Sequence, residues 1–135
     1  MIPVKVEQLF VSTQGFVVLL RGLEDKRVLQ IFIGAAEAQA IHIHISGIEI
    51  PRPLTHDLLR NLLEFFDCRL VRIEVSDLRE GTFYAKLILE REGVETEMDS
   101  RPSDAIALAL RCEAPIFVAE KVMDEAGRVL EEAPA

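Results

Sequence analysis

The hydrophobic period of this sequence switches between two and about 3.6 residues along the chain, and that switching limits the possible folds more than any single motif. Val4–Val11, Phe16–Leu20 and Arg27–Ile33 read as strands, the last with Leu29, Ile31 and Ile33 on one face. Ser12-Thr13-Gln14-Gly15 and the polar Leu23–Lys26 after Gly22 supply the turns of an antiparallel meander. Gly34–Gly47 carries two signals. Ile41-His42-Ile43-His44-Ile45 alternates like a strand, whereas Gly34 suits an N-cap, Glu37 the third helical position and Gly47 a left-handed C′ residue around an alanine-rich run. We read it as a helix, apolar almost all round and therefore expected in the core or a subunit interface.

Pro51-Arg52-Pro53 extends the chain. A helix then follows from Pro53 or Thr55 to Phe66, with Leu58, Leu62, Phe65 and Phe66 as its expected inner stripe, widened by Leu59 and Leu63. Cys68–Val75, Thr82–Glu90 and Val94–Met98 return to a period of two, separated by turns at Asp77–Gly81 and Glu92-Gly93. Pro102–Cys112 is a second very apolar helix, Ala114–Val118 a short buried strand and Glu120–Glu125 a helical turn. The expected class is α+β with a mostly antiparallel or mixed sheet and helices packed on it, in the order βββααβββαβ plus a short C-terminal helical turn. Residues 1–127 are expected to form a single domain and 128–135 an acidic, frayed tail.

Half of the 135 residues are apolar and mean hydropathy is +0.22, enough for a core without disulfides or metals. The net charge of −8 argues against a protein that coats nucleic acid through a basic face, because counterion release needs one. A confined cationic site is compatible with it. Cys68 and Cys112 match no metal or redox spacing and read as inert thiols. No signal-peptide pattern opens the sequence and no apolar run approaches the roughly 20 residues of a membrane span, so a cytoplasmic chain without membrane contact is expected.

Polar residues gather at two helix starts, Arg52-Pro53-Leu54-Thr55-His56-Asp57 and Asp99-Ser100-Arg101-Pro102-Ser103-Asp104. A helix N-terminus attracts anions, and an upstream arginine adds a bidentate phosphate donor. On this reading Arg52, Thr55, Arg101 and Ser103 bind substrate and His56, Asp57, Asp99 and Asp104 are catalytic. Asp99 and Asp104, with Asp57 as an optional third ligand, would hold a divalent metal such as Mg2+ or Mn2+. His56 is the candidate acid or base near neutral pH. The same Asp, Ser and Thr residues are those that helix starts prefer for capping alone. Arg52 and Arg101 could simply pair with Glu37 or with the cap carboxylates. His42 and His44 would share a metal only on a strand, since on a helix they stand about 200° apart.

Four stretches in order, Ile33–Ala38, Arg52–Leu58, Gly81–Ala85 and Asp99–Leu108, resemble the bifunctional nuclease (BFN) domain, with Arg101-Pro102-Ser103-Asp104-Ala105 the most distinctive. The resemblance runs from about Val4 to Gly127. It implies a compact α+β domain, often a homodimer, and a DNase and RNase activity of the kind that names the plant members. Carried over by position, its polar residues are Glu37, Arg52, Thr55, His56, Asp57, Asp99, Arg101, Ser103 and Asp104, with Glu37 in a supporting role. The expected function is phosphodiester hydrolysis of DNA or RNA through a confined site. The alternative is a non-enzymatic dimeric domain that binds a small anion or a protein partner. Geometry separates them: Asp99 and Asp104 open to a pocket with Arg101 favour the enzyme, and carboxylates consumed by caps and ion pairs favour the structural domain.

Overall fold

The computed structural model describes residues 1–130. Three strands come first, β1 (Ile2–Ser12), β2 (Gly15–Gly22) and β3 (Arg27–Ile33), followed by helices α1 (Ala35–Ile45) and α2 (Thr55–Phe65). Strands β4 (Arg69–Arg79), β5 (Thr82–Arg91) and β6 (Val94–Ser100) form the second meander, and α3 (Pro102–Cys112), β7 (Ile116–Val118), α4 (Glu120–Ala126) and β8 (Arg128–Val129) complete the chain. One eight-stranded sheet results, in the order β6-β5-β4-β7-β1-β2-β3-β8. All pairings are antiparallel except β4 with β7, so the expected α+β class with a mixed sheet holds.

The three-residue β7 joins the meanders: it lies antiparallel to β1 through Ile2↔Val118 and parallel to β4 through Ile73↔Ile116. Two-residue turns close the second meander. Glu80-Gly81 and Glu92-Gly93 each have positive φ at both residues, which a type I′ hairpin requires. The segment 128–135, expected as a tail, begins with β8, where Arg128 and Val129 pair with Val28 and Arg27; residues 131–135 lie outside the described residues.

Helix α3 is the buried centre, its Ala105–Ala109 face packed on β4 and β5 and flanked by α1 and α2. Helix α1 ends as its sequence suggests: Gly47 takes φ +64°, and Gly47 and Ile48 N–H donate to the His44 and Ile43 carbonyls, a Schellman closure. Of its two expected settings, the core takes only Ala38 and Ile41, and Ile45 is exposed on the single chain.

The larger correction is α2. His56 is its only buried residue, whereas Leu58, Leu62 and Phe66 are about half exposed and Phe65 is 80% exposed. The helix meets the body through Leu63, which packs against the core, and through His56 and Asp57, which find Asp104 and Arg111 on α3. These contacts lie on one face, and the stripe of Leu58, Leu62, Phe65 and Phe66 faces away from the body.

Elsewhere Arg27 joins the β2–β3 turn to α4, donating to Asp25 and Asp124. Hydrogen bonds from the Arg27 side chain and N–H hold the Asp25 carboxyl at about 2, below its ordinary 3.8. A depressed carboxyl contributes stability above the unfolded value and loses it as pH falls through the folded one. Between about pH 4 and 2, Asp25→Asn is therefore expected to show a flatter decline of unfolding free energy than the parent in denaturant titrations. Parallel declines would contradict this role.

Candidate functional site

Three helices of eleven residues start at one place. Ala36 and Glu37 of α1, Pro53–His56 at the start of α2 and Arg101 and Asp104 at the start of α3 line a cleft of about 600 Å3. Each helix N-terminus carries roughly half a positive charge, so three together contribute about +1.5. Against that stand the carboxylates of Glu37 and Asp104, with the Arg101 guanidinium between them.

Arg101 is the hinge of the polar network. Its Nε donates to Asp104 Oδ2 at 2.9 Å and its Nη2 to Glu37 Oε1 at 3.0 Å. Bonding to Asp104 and then Glu37 raises its already high pKa, and its side chain remains 66% exposed. Pro102 occupies the first helical position, where its missing N–H costs nothing, and so starts α3 directly behind Arg101. Gly34 leaves room for Glu37: a Cβ there would fall on Glu37 Oε2. The expected cap from Glu37 to Gly34 is absent, because the carboxylate turns to Arg101.

His56 lies beneath this network, with its side chain 10% exposed and Nε2 3.0 Å from Asp104 Oδ1. An ionised carboxylate only accepts, so Nε2 carries a proton, and the neutral ring then has its lone pair on Nδ1. Nδ1 has no partner among the described residues and is not sealed from solvent. Asp104 thus fixes both the ring and its tautomer.

The structure divides the nine predicted residues. Glu37, Thr55, His56, Arg101 and Asp104 share the cleft. Asp57 is structural: its Oδ2 accepts from Leu54 N–H at 3.0 Å, capping α2, and its Oδ1 from Arg111 Nε at 3.1 Å. Asp99 stands exposed on β6, in register with Lys86, away from the cleft. Ser103 is buried and faces a separate hollow with Gly81, Thr82 and Phe83. Arg52 lies in another depression on the far side of Pro53.

The expected metal set is therefore not assembled. Both Asp104 oxygens and both Asp57 oxygens are engaged by donors, and among the described residues no three His, Cys, Asp or Glu side chains are grouped to hold an ion. A divalent cation at Asp104 would compete with Arg101 for the same oxygen. His42 and His44 are exposed on a helix and cannot share a metal. Burial pushes the Cys112 thiol up, consistent with an inert cysteine.

Sequence reasoning missed Arg111. Its guanidinium is almost fully enclosed and donates to Asp57, to Ala107 O of its own helix and to Ala40 O of α1, tying three helices together. The signal was present: Arg111 is the only charge between Ala105 and Cys112.

The sequence model of the bifunctional nuclease domain matches residues 18–131, a span that holds every cleft residue. An uncharacterized protein of Mycobacterium tuberculosis (strain ATCC 25618 / H37Rv) is 46% identical over 114 residues, covering 84% of this chain and 68% of its own. Bifunctional nuclease 1 of Arabidopsis thaliana is 30% identical over 103 residues, 67% of this chain and 31% of the plant protein. Bifunctional nuclease 1 of Oryza sativa subsp. japonica is 30% identical over 81 residues, 58% of this chain and 24% of its own length.

Proposed function

The chain belongs to the bifunctional nuclease domain family, and we propose on that premise that it hydrolyses phosphodiesters of DNA or RNA by acid–base catalysis centred on His56. The observation that carries this reading is the 3.0 Å contact between His56 Nε2 and Asp104 Oδ1 in the wall of the cleft. His56 Nδ1 takes the proton of an attacking water or ribose hydroxyl as the new oxygen–phosphorus bond forms. The imidazolium then returns a proton to the leaving oxygen as the old bond breaks, and Asp104 stabilises that imidazolium between the two events. Arg101 holds the phosphate and offsets charge developing on its oxygens. Glu37 positions Arg101, and the Thr55 hydroxyl at the cleft wall is a further donor to the phosphate.

The test is cleavage of single-stranded DNA and RNA by purified parent, His56→Ala and Asp104→Ala, with and without a chelator. The expected result is parental activity that survives the chelator and is lost in both variants. Equal residual activity in all three would identify a contaminating nuclease and sink the reading. Loss of parental activity in chelator alone would overturn the metal-independent route.

The closed Glu37–Arg101–Asp104 ion pairing favours a second reading, a non-enzymatic domain that binds an anion at the same mouth. On that reading phosphate raises the melting temperature and no substrate turns over.

The same proposal takes the protein to be a homodimer joined through α2. Its outward stripe, Leu58, Leu62, Phe65 and Phe66, carries no charge, so a second copy of itself is a complementary surface. Burying such side chains is worth about 1.5–3 kcal/mol each. The parent is expected to elute as a dimer with light-scattering mass to match, and Leu62→Glu/Phe65→Glu as a folded monomer. A monomeric parent at tens of micromolar would contradict it.

A further inference from the structure

Seven of the eleven arginines are ion-paired, and among the described residues Arg52, Arg60, Arg91 and Arg128 have no carboxylate partner. Of these four, Arg52 and Arg60 share a site. They meet in one depression of about 320 Å3, bounded by Pro51, Pro53 and Asn61. Arg60 Nη2 donates to Asn61 Oδ1 at 3.2 Å, but its Nε is buried without a hydrogen-bond partner. A buried, unmatched guanidinium N–H is costly unless an acceptor reaches it. Asp57, on the same wall, does not serve: its oxygens already accept from Arg111 and Leu54 N–H. Prolines on both sides of Arg52 fix the backbone that carries it, so the site is partly organised in advance. Pro53 lines both this depression and the His56 cleft, so the two hollows are neighbours across one residue.

We propose that Arg52 and Arg60 form a second phosphate subsite, which holds the backbone phosphate next to the scissile one when a nucleic-acid strand crosses Pro53. The assignment rests on the phosphodiesterase reading for its ligand. The guanidinium pair supplies the acceptor-hungry donors, and the cleft across Pro53 supplies the neighbouring position on the strand. The site explains how an acidic chain engages nucleic acid: through two adjacent hollows, not a basic face.

The probe is a fluorescent ten-nucleotide single-stranded RNA, with binding followed by anisotropy at several salt concentrations in a His56→Gln background, which is expected to leave the strand intact. Arg52→Gln removes no side-chain hydrogen bond or ion pair found among the described residues, and Arg52→Gln/Arg60→Gln empties the subsite. The double variant is expected to bind about tenfold more weakly, with a salt dependence shallower by about one phosphate contact. With His56 restored, cleavage of a dinucleotide, which fills only the His56 cleft, is expected to stay at the parental rate. Unchanged strand affinity in both variants would overturn the subsite even if the parent cleaves RNA. Arginine-dependent strand binding without any cleavage would keep the subsite and remove the hydrolytic reading. If inorganic phosphate alone binds in an Arg52-dependent way and the strand does not, the site takes a free anion and the strand assignment fails.

Discussion

His56→Gln is expected to lower the rate of phosphodiester cleavage by about 10²–10⁴-fold, the usual contribution of a positioned acid–base group. Glutamine keeps a donor near Asp104 and a similar volume, so the α2–α3 contact persists and the melting temperature stays close to that of the parent. What it lacks is a site that takes a proton in one step and returns it in the next. Asp104→Asn tests the arrangement from the other side. Its amide can still meet the ring but no longer carries the charge that stabilises an imidazolium, so cleavage falls while binding of the strand is retained. Rates that fall only in proportion to lost folded protein would assign His56 a structural role.

Arg111→Met is expected to destabilise the fold by about 3–5 kcal/mol, the cost of breaking a buried pair by removing one partner. For a chain of this size that corresponds to a fall in melting temperature on the order of 10 °C. The reason lies in what stays behind: Asp57 keeps only the Leu54 N–H, and the Ala40 carbonyl loses the guanidinium donor that ties α1 to α3. Adding Asp57→Asn removes the stranded charge, so the double variant is expected to be more stable than Arg111→Met alone. Strictly additive losses would show that the pair does not fix α2 on α3.

These two residues also mark what a reader of the sequence can and cannot see. The period changes place every strand and helix in order except β8, a two-residue strand too short to leave a pattern. Gly47 and Glu92-Gly93 declare their turns because left-handed backbone has a residue signature. The rotation of α2 left no such signature. Its apolar stripe is genuine, but the face that meets the body is the one that reaches Asp104 and Arg111, 48 and 54 residues beyond their partners on α2. Pairing over that separation is invisible to any local window, and the stripe pointed to the wrong neighbour.

Polar density was likewise a sound guide to the region and a poor one to the roles. Glu37, Asp57 and Asp104 all sit at the third position of their helices, and all looked like caps or ligands. Only Asp57 caps its own helix start, because only Glu37 and Asp104 have Arg101 within reach. Arg52 and Arg101 share an Arg-Pro step before a helix, yet Arg101 meets two carboxylates and Arg52 none among the described residues. Asp99, five residues from Asp104, belongs to the edge strand and not to the helix start that follows it.

The central claim is that His56, oriented by Asp104, performs the chemistry of this cleft. The most direct measurement is cleavage of single-stranded RNA across the size-exclusion peak, for parent and His56→Gln purified side by side in chelator. We predict a rate that tracks the parent's protein profile fraction by fraction and is at least about a hundredfold lower across the variant's peak. Equal rates in the two peaks, or activity that elutes apart from the protein, would contradict it.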